Sequence, residues 1–264
     1  MSQKKYLLRS GGSFRNELNY NNFLLKSLKS WYNLLKYKNV RSDLMFEGLV
    51  YSIGRVMDGT YSALGTCTLI HTGNQTSLLV TAAHVANGND ENLFIRPNDN
   101  FVGGYQDTTV NHFTVHGVKI VAIDPLRDVC ILTFKDRVLS NSNVYLSNCE
   151  NINLGEKVNV VGFPHSNLGR IVLTQQSCEV GAKILLSSNI IKSKHLVLNI
   201  QARPGQSGGP IFQISEDGRI NLIAILLGAY APTIKAGIRL GDIDPQTLHQ
   251  TTHAVSAEYL ERML

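Results

Sequence analysis

The sequence predicts an all-β body of two lobes, and three observations carry that reading. From about Glu47 onward, short segments rich in Val, Ile, Leu and Thr recur, parted by turn residues about every eight to twelve positions. One polar stretch, residues 136–151, divides the series in two. No internal repeat or low-complexity run breaks it, and 264 residues with 43% apolar side chains can bury a sizeable core.

Taken in order, residues 1–20 are polar and glycine-punctuated, a loose lead-in. Between 21 and 37 apolar residues fall at helical spacing: Leu24, Leu28, Trp31 and Leu35 on one face, with Leu25 and Tyr32 beside them. Lys26, Lys29, Lys36 and Lys38 fall largely elsewhere on the wheel, so a basic amphipathic helix is expected. We read it as packed against the body with its lysines in water. Membrane-surface attachment, a contact between protomers and a regulatory plug stay open beside that reading. Strands of the first lobe are expected at 50–56, 65–71, 77–82, 92–95, 113–122 and 129–134. Those of the second are expected at 157–163, 170–174, 182–186, 196–200, 210–214, 220–229 and 251–255. Ser256 reads as the N-cap of a closing helix through Leu264, with Glu258 early and Arg262 late as the helix dipole favours. The expected organisation is a basic arm (1–47) and a body (48–264). Within the body the first lobe spans about 48–135, the link 136–151, the second lobe about 152–255 and the helix 256–264.

Charge and cysteine usage narrow the function classes. The formal charge is +5, but residues 1–50 hold nine basic and three acidic side chains, +6, so the remainder carries −1. The basic character belongs to the arm, and a nucleic-acid-binding body is not expected. No apolar run approaches the roughly 18 residues of a membrane helix, and Arg9, Gly11 and Gly12 arrive before any signal-peptide-like stretch. Cys67, Cys130, Cys149 and Cys178 lie far apart with no C-x-x-C spacing, which reads as free thiols in a reducing compartment and hence a cytoplasmic protein.

The stretch that carries chemistry is Pro204-Gly205-Gln206-Ser207-Gly208-Gly209-Pro210. Gly205 permits a turn that a Cβ resists, so the N–H groups of Gly205 and Ser207 can converge on a developing oxyanion, with the Ser207 hydroxyl beside them as nucleophile. A serine hydroxyl needs a base and a group that orients the base. His84 ends an apolar strand in Leu79-Val80-Thr81-Ala82-Ala83-His84-Val85, where two small alanines let the chain turn and present the imidazole. Asp128 stands immediately before another apolar strand, placed to accept an imidazole N–H and fix the tautomer. Asp124 is its rival, but Pro125 follows it and it reads as a turn residue. His249 and His253 have the four-residue spacing of a metal pair, yet Thr251, Thr252 and Val255 favour a strand and no third ligand is near, so neither metal nor cofactor is expected.

With those residues on the page, T-A-A-H, R-D-V-C-I-L and G-Q-S-G-G-P resemble the three signatures of trypsin-like, chymotrypsin-fold serine proteases. Gly155-Glu156-Lys157-Val158-Asn159-Val160-Val161-Gly162-Phe163-Pro164, the Asp124/Asp128 pair, and His253-Ala254-Val255-Ser256-Ala257-Glu258-Tyr259-Leu260 resemble the HtrA-type branch, here without a PDZ domain. The similarity covers about 48–264. It implies two six-stranded antiparallel β-barrels, a His84–Asp128–Ser207 triad and an oxyanion hole from Gly205 and Ser207. It also implies a first specificity pocket with Gln201 at its base and Leu226, Leu227, Gly228 and Ala229 as its wall. With no carboxylate at that base, cleavage after a medium or small apolar residue is expected. Val85 stands where secreted trypsins carry a cysteine, and Gln206 cannot capture a new N-terminus, so activation by clipping is not expected. The function expected is a serine endopeptidase on protein or peptide substrates, with homo-oligomer or regulatory contacts through residues 1–47. The competing classes are a protease-fold binding protein held inactive, and an esterase with the same centre.

Overall fold

Asp58 and Gly59 both take positive φ (50° and 75°), the backbone that a two-residue hairpin turn requires. They fold β1 (Val50–Met57) back onto β2 (Thr60–Ile70). In this computed structural model the described residues are 46–264, apart from 72–76, 99, 103, 111–112, 137–141, 189 and 231–250. The helix expected at 21–37 lies outside the described residues, as does His249. Among the described residues no helix is long and apolar enough to cross a membrane.

The first barrel closes through β3 (Leu78–Ala82), β4 (Leu93–Arg96), β7 (His116–Asp124) and β8 (Val129–Phe134), in the order β1-β2-β3-β8-β7-β4. A one-turn helix, α1 (Ala83–Ala86), follows β3 and ends at Asn87 in the left-handed region. Two-residue strands β5 (Phe101–Val102) and β6 (Tyr105–Gln106) form a small hairpin outside the barrel.

The second sheet comprises β9 (Val144–Leu146), β10 (Lys157–Gly162), β11 (Thr174–Ser188), β12 (Ile191–Leu198), β13 (Pro210–Ile214), β14 (Ile220–Tyr230) and β15 (Thr251–Ser256). Its order is β13-β10-β11-β12-β15-β14-β9, and β13 also pairs with β14. Six strands therefore each have two neighbours, while β9 stands outside that ring and runs parallel to β14. A short helix, α2 (Glu258–Glu261), follows β15.

Buried apolar side chains hold this arrangement, among them two clusters of described residues. Val158, Val160, Val180, Leu198, Ile211, Leu226 and Ala254 pack one cluster with residues from all six strands of the ring. The other is the seam between barrels, where Val50, Ile70, Val80 and Ile131 meet Val161, Phe163, Phe212 and Val255. Phe46 stacks on Phe212 there at 5.0 Å between ring centroids. Each such fully buried side chain contributes about 1.5–3 kcal/mol, so the seam fixes how the two sheets sit against each other.

Several expected elements need correction. Residues 170–174 are not a strand of their own: β11 starts at Thr174 and runs unbroken through 182–186. Its apolar alternation is reset by a bulge between Val180 and Ala182, where Gly181 fits against Asn199, which is why the sequence reads as separate pieces. β12 spans Ile191–Leu198 rather than 196–200, and β7 begins at His116 rather than 113. The link at 136–151 contains β9. Ser256 ends β15 instead of capping a helix: its hydroxyl accepts the Cys149 N–H at 3.3 Å and lies 3.2 Å from the Glu258 carboxylate. The N-cap is Ala257, and α2 is far shorter than 256–264.

Candidate active site

Tight turns deliver His84 and Asp128 to one point at the end of the first barrel. Asp124 closes the turn before β8: its Oδ1 accepts the N–H groups of Leu126 and Arg127 at 3.0 and 3.1 Å, and its Oδ2 takes Arg127 Nη1 at 2.6 Å. Asp124 is thus the turn residue, and the turn sets Asp128 at φ 59°, a left-handed backbone that aspartate tolerates better than most residues. The Asp128 carbonyl accepts the Ala83 N–H at 3.1 Å, Oδ1 accepts the His84 N–H at 2.8 Å, and Oδ2 lies 2.6 Å from His84 Nδ1. Both oxygens of the carboxylate hold one residue. The His84 side chain is 47% exposed.

Ser207 comes from the second barrel on a loop whose glycines are required by contact as well as by backbone. Gly205 and Gly208 take φ of 94° and 80°. A Cβ on Gly208 would lie 2.1 Å from Thr81 Oγ1 and 2.9 Å from Ala82 N, so the serine loop rests directly on the strand end that leads to His84. Thr66 of β2 fastens the loop from the other side: its N–H donates to Ser207 O at 2.8 Å and its hydroxyl to Gly205 O at 2.8 Å. The His165 N–H donates to Pro204 O at 2.7 Å. Gln206, buried, folds inward, accepting the Arg203 N–H at 2.8 Å and donating to Gln176 Oε1 at 3.2 Å. The N–H groups of Gln206, Gly208 and Gly209 are bonded within this network, whereas those of Gly205 and Ser207 meet no acceptor among the described residues.

The three residues are not all joined. Ser207 Oγ donates to the carbonyl of Leu227 at 3.1 Å, and among the described residues no hydrogen bond links it to His84. Leu227 is the extra residue of a bulge in β14, between Leu226 and Gly228, which turns its carbonyl toward the loop. Leu226, expected in the wall of a specificity pocket, is drawn with Val160 and Ile211 into the core of the second ring and presents no side chain to the cleft. Leu227, Gly228 and Ala229 stay partly exposed or open beside the serine. Gln201 is held in place by its neighbours: the Thr252 hydroxyl accepts the Ala202 N–H and donates to Ile200 O, both at 2.7 Å.

Sequence reasoning weighed the His253 side chain as half of a metal pair and otherwise only placed the residue in the closing stretch that resembles the HtrA-type branch. It pairs with Gly228 across β14–β15 and hydrogen-bonds the Gly228 and Ala229 backbone, and the charges of Asp128 and His84 reach it. Its ring lies 5.7 Å from that of His195, whose Nε2 is 2.9 Å from Ser193 Oγ. Burial, then His253, pushes His195 down to about 4, and burial lowers His253 as well. The cross-strand pairing Val197↔His253 could not be read without knowing the strand order. All four cysteines are free.

A family model described as a trypsin-like peptidase domain matches residues 65–225. No curated protein matches the chain. Among solved structures the chain resembles the MamO protease domain of Magnetospirillum magneticum (13% identity, TM-score 0.56, covering 83% of this chain and 96% of that one). It also resembles the active form of the Rv3671c protease of M. tuberculosis (19%, TM-score 0.55, 84% and 81%). A third likeness is to the HtrA-type protease AlgW with a tripeptide (18%, TM-score 0.54, 84% and 61%). At such identities the likeness is one of fold.

Proposed function

The chain belongs to the trypsin-like peptidase family and is a serine-protease hydrolase, and on that premise we propose that it is an endopeptidase working through an acyl-enzyme on Ser207. The observation that carries the assignment is the double grip of Asp128 on His84, through both the backbone N–H and Nδ1. That grip fixes Nδ1 as the protonated nitrogen and leaves Nε2 as a base. In the first step the Ser207 hydroxyl turns from Leu227 O to His84 Nε2, a change between staggered rotamers that exchanges one hydrogen bond for another. Its oxygen attacks the peptide carbonyl while the proton passes to His84. The unengaged N–H groups of Gly205 and Ser207 support their role as donors to the oxyanion. His84 then protonates the departing amine, and a water deacylates the serine by the same route.

The substrate class is peptide or protein, a reading supported by the tripeptide and the decapeptide bound to AlgW. Gln201, uncharged, and the Leu227–Gly228–Ala229 edge favour an apolar residue before the cut. The free cysteines favour action in a reducing compartment, as a regulatory protease of the cytoplasm. A second reading, a protein held inactive, draws on the Ser207–Leu227 hydrogen bond. A fluorophosphonate probe separates the two: labelling of wild type and not of Ser207→Ala upholds the enzyme, while no labelling of folded wild type upholds the inactive form. Cleavage of a peptide library dominated by Arg or Lys before the cut would overturn the pocket assignment.

A further inference from the structure

The turn that presents Asp128 is held from two sides. From within, Asp124 takes the N–H groups of Leu126 and Arg127 and, at 2.6 Å, the Arg127 guanidinium. From outside comes an aromatic ring: the same guanidinium lies over Tyr259 of α2, 4.6 Å from its centroid. Tyr259 is itself fixed to the second sheet. Its hydroxyl accepts the Lys194 N–H of β12 at 2.8 Å, and Lys194 Nζ meets Glu258, the residue before Tyr259, at 3.0 Å. The N–H of Ala257, the N-cap of α2, donates to Ile223 O of β14 at 2.9 Å. Val129, the residue after Asp128, is buried in the same apolar cluster as Tyr259 and Leu260. In sequence, Asp128 thus stands between a residue under the Tyr259 ring and a residue in its cluster.

Asp128 needs such support because its backbone is left-handed, φ 59°, a conformation that a residue with a Cβ keeps only where its surroundings impose it. Relaxation toward negative φ would swing the Cβ and draw the carboxylate from His84, whose N–H and Nδ1 lie 2.8 Å from Oδ1 and 2.6 Å from Oδ2. Arg127 is placed against that relaxation at some cost to itself. Its side chain is only 22% exposed, and its Nε is buried with no hydrogen-bond partner. An arginine kept for its charge alone would hydrate that N–H; this one leaves it dry and lies over an aromatic face.

We propose that Arg127 and Tyr259 are positioning residues for the catalytic pair. Through the Tyr259 ring and the Arg127 guanidinium, the closing helix of the second barrel holds Asp128 in its left-handed backbone and so sets the bond to His84 Nδ1. The effect on turnover rests on the endopeptidase reading; the effect on the His84–Asp128 bond does not.

The test compares wild type with Tyr259→Leu, Arg127→Met and Tyr259→Phe by two readouts. The first is turnover of the best library peptide. Tyr259→Leu and Arg127→Met should each lower kcat by about ten- to a hundredfold, as for a misplaced catalytic group, with KM within about twofold. Tyr259→Phe keeps the ring and should stay within about threefold of wild type. The second readout is the His84 tautomer, read from imidazole nitrogen shifts at pH 8.5 (about two units above the ordinary imidazole value) and assigned with His84→Gln. Wild type and Tyr259→Phe should hold the proton on Nδ1, whereas Tyr259→Leu and Arg127→Met should share it with Nε2. A merely structural role would lower the urea midpoint and leave both kcat and the tautomer unmoved. Arg127→Met keeps the apolar stem on the ring and serves where Tyr259→Leu does not fold. Folded variants with wild-type kcat and an undisturbed Nδ1 proton overturn the proposal, as does a wild-type His84 that carries its proton on Nε2. Should wild type cut nothing, the tautomer alone decides: its loss in the variants upholds the positioning role, and its persistence rejects that role without touching the protease reading.

Discussion

The two barrels contribute to the site in different ways. The first delivers His84 and Asp128 already joined, through two bonds of which one uses the backbone N–H, with the Ala83 N–H on the Asp128 carbonyl beside them. The second delivers Ser207 on a loop whose main chain is held as firmly, but whose hydroxyl is turned to Leu227. Main-chain bonds fix where a side chain starts; only a partner fixes where it ends. The first barrel supplies that partner at the residue just before β8, whereas the second leaves the Ser207 hydroxyl on a carbonyl of its own strand β14.

The sharpest way to break the contrast is Asp128→Asn. Asparagine accepts the left-handed backbone and can keep the His84 N–H bond, so the fold should hold. Its amide NH₂ facing Nδ1 forces the opposite imidazole tautomer, and kcat should fall about 10³- to 10⁴-fold. Turnover within tenfold of wild type (about 1.4 kcal/mol), measured on the best library peptide, would show that the pair does not serve catalysis. Ser207→Ala should fall at least as far, to the residual rate that binding and the oxyanion donors supply.

The serine loop is tested next by its contacts. Gly208→Ala meets both a positive φ (80°) and atoms of Thr81 and Thr66 at 2.1 and 2.4 Å. It should cost about 2–4 kcal/mol in urea unfolding. Gly88→Ala shares the backbone strain (φ 64°) with nothing within 4 Å, and should cost only about 1–2 kcal/mol. Equal costs would mean that the close approach of the barrels is not what requires Gly208.

The Thr66 hydroxyl spans both barrels, accepting the Phe163 N–H at 3.2 Å and donating to Gly205 O. Thr66→Val keeps the shape and strands both partners, for an expected loss of about 1–3 kcal/mol. Thr66→Ser should restore it. A silent Thr66→Val would remove this bond from the account of how the loop is set.

What the chain reveals before folding follows the same division. Residues that work through local backbone were legible: His84 and Asp128 sit at strand ends marked by small residues and by a turn, and strands Val129–Phe134 and Pro210–Ile214 fall where their apolar runs predict. Features set by a distant partner were not. β9 is three residues long and exists because β14 offers a parallel edge. Leu226 and Leu227 look alike in sequence, and only the bulge decides that one side chain goes to the core while the other residue's carbonyl meets the serine. The Ser207 hydroxyl's partner depends on that same bulge.

The smallest expected effect sharpens the comparison from a different side, by contrasting the open histidine of the first barrel with the closed pair of the second. His195 is 4% exposed and its ring neighbour is His253, so neither takes a proton readily while folded. In the unfolded chain His195 titrates near 6.5, and in the fold near 4. Between those values the unfolded state binds more protons, so stability rises with pH through the window and is lost as pH falls from about 6.5 to about 4. Other charges face the pair: Asp128 and His84 act on His253, and Lys194, beside His195 in sequence, is held by Glu150 and by Glu258 of α2. Allowing for hydration of the site, the loss attributable to His195 is about 1–2 kcal/mol. His195→Gln keeps an acceptor for the Ser193 hydroxyl and cannot titrate, so its urea midpoint should change less than that of wild type between pH 7 and 4.5 (about two units below the ordinary imidazole value). Parallel curves for the two proteins would show that acid sensitivity lies elsewhere than in this pair.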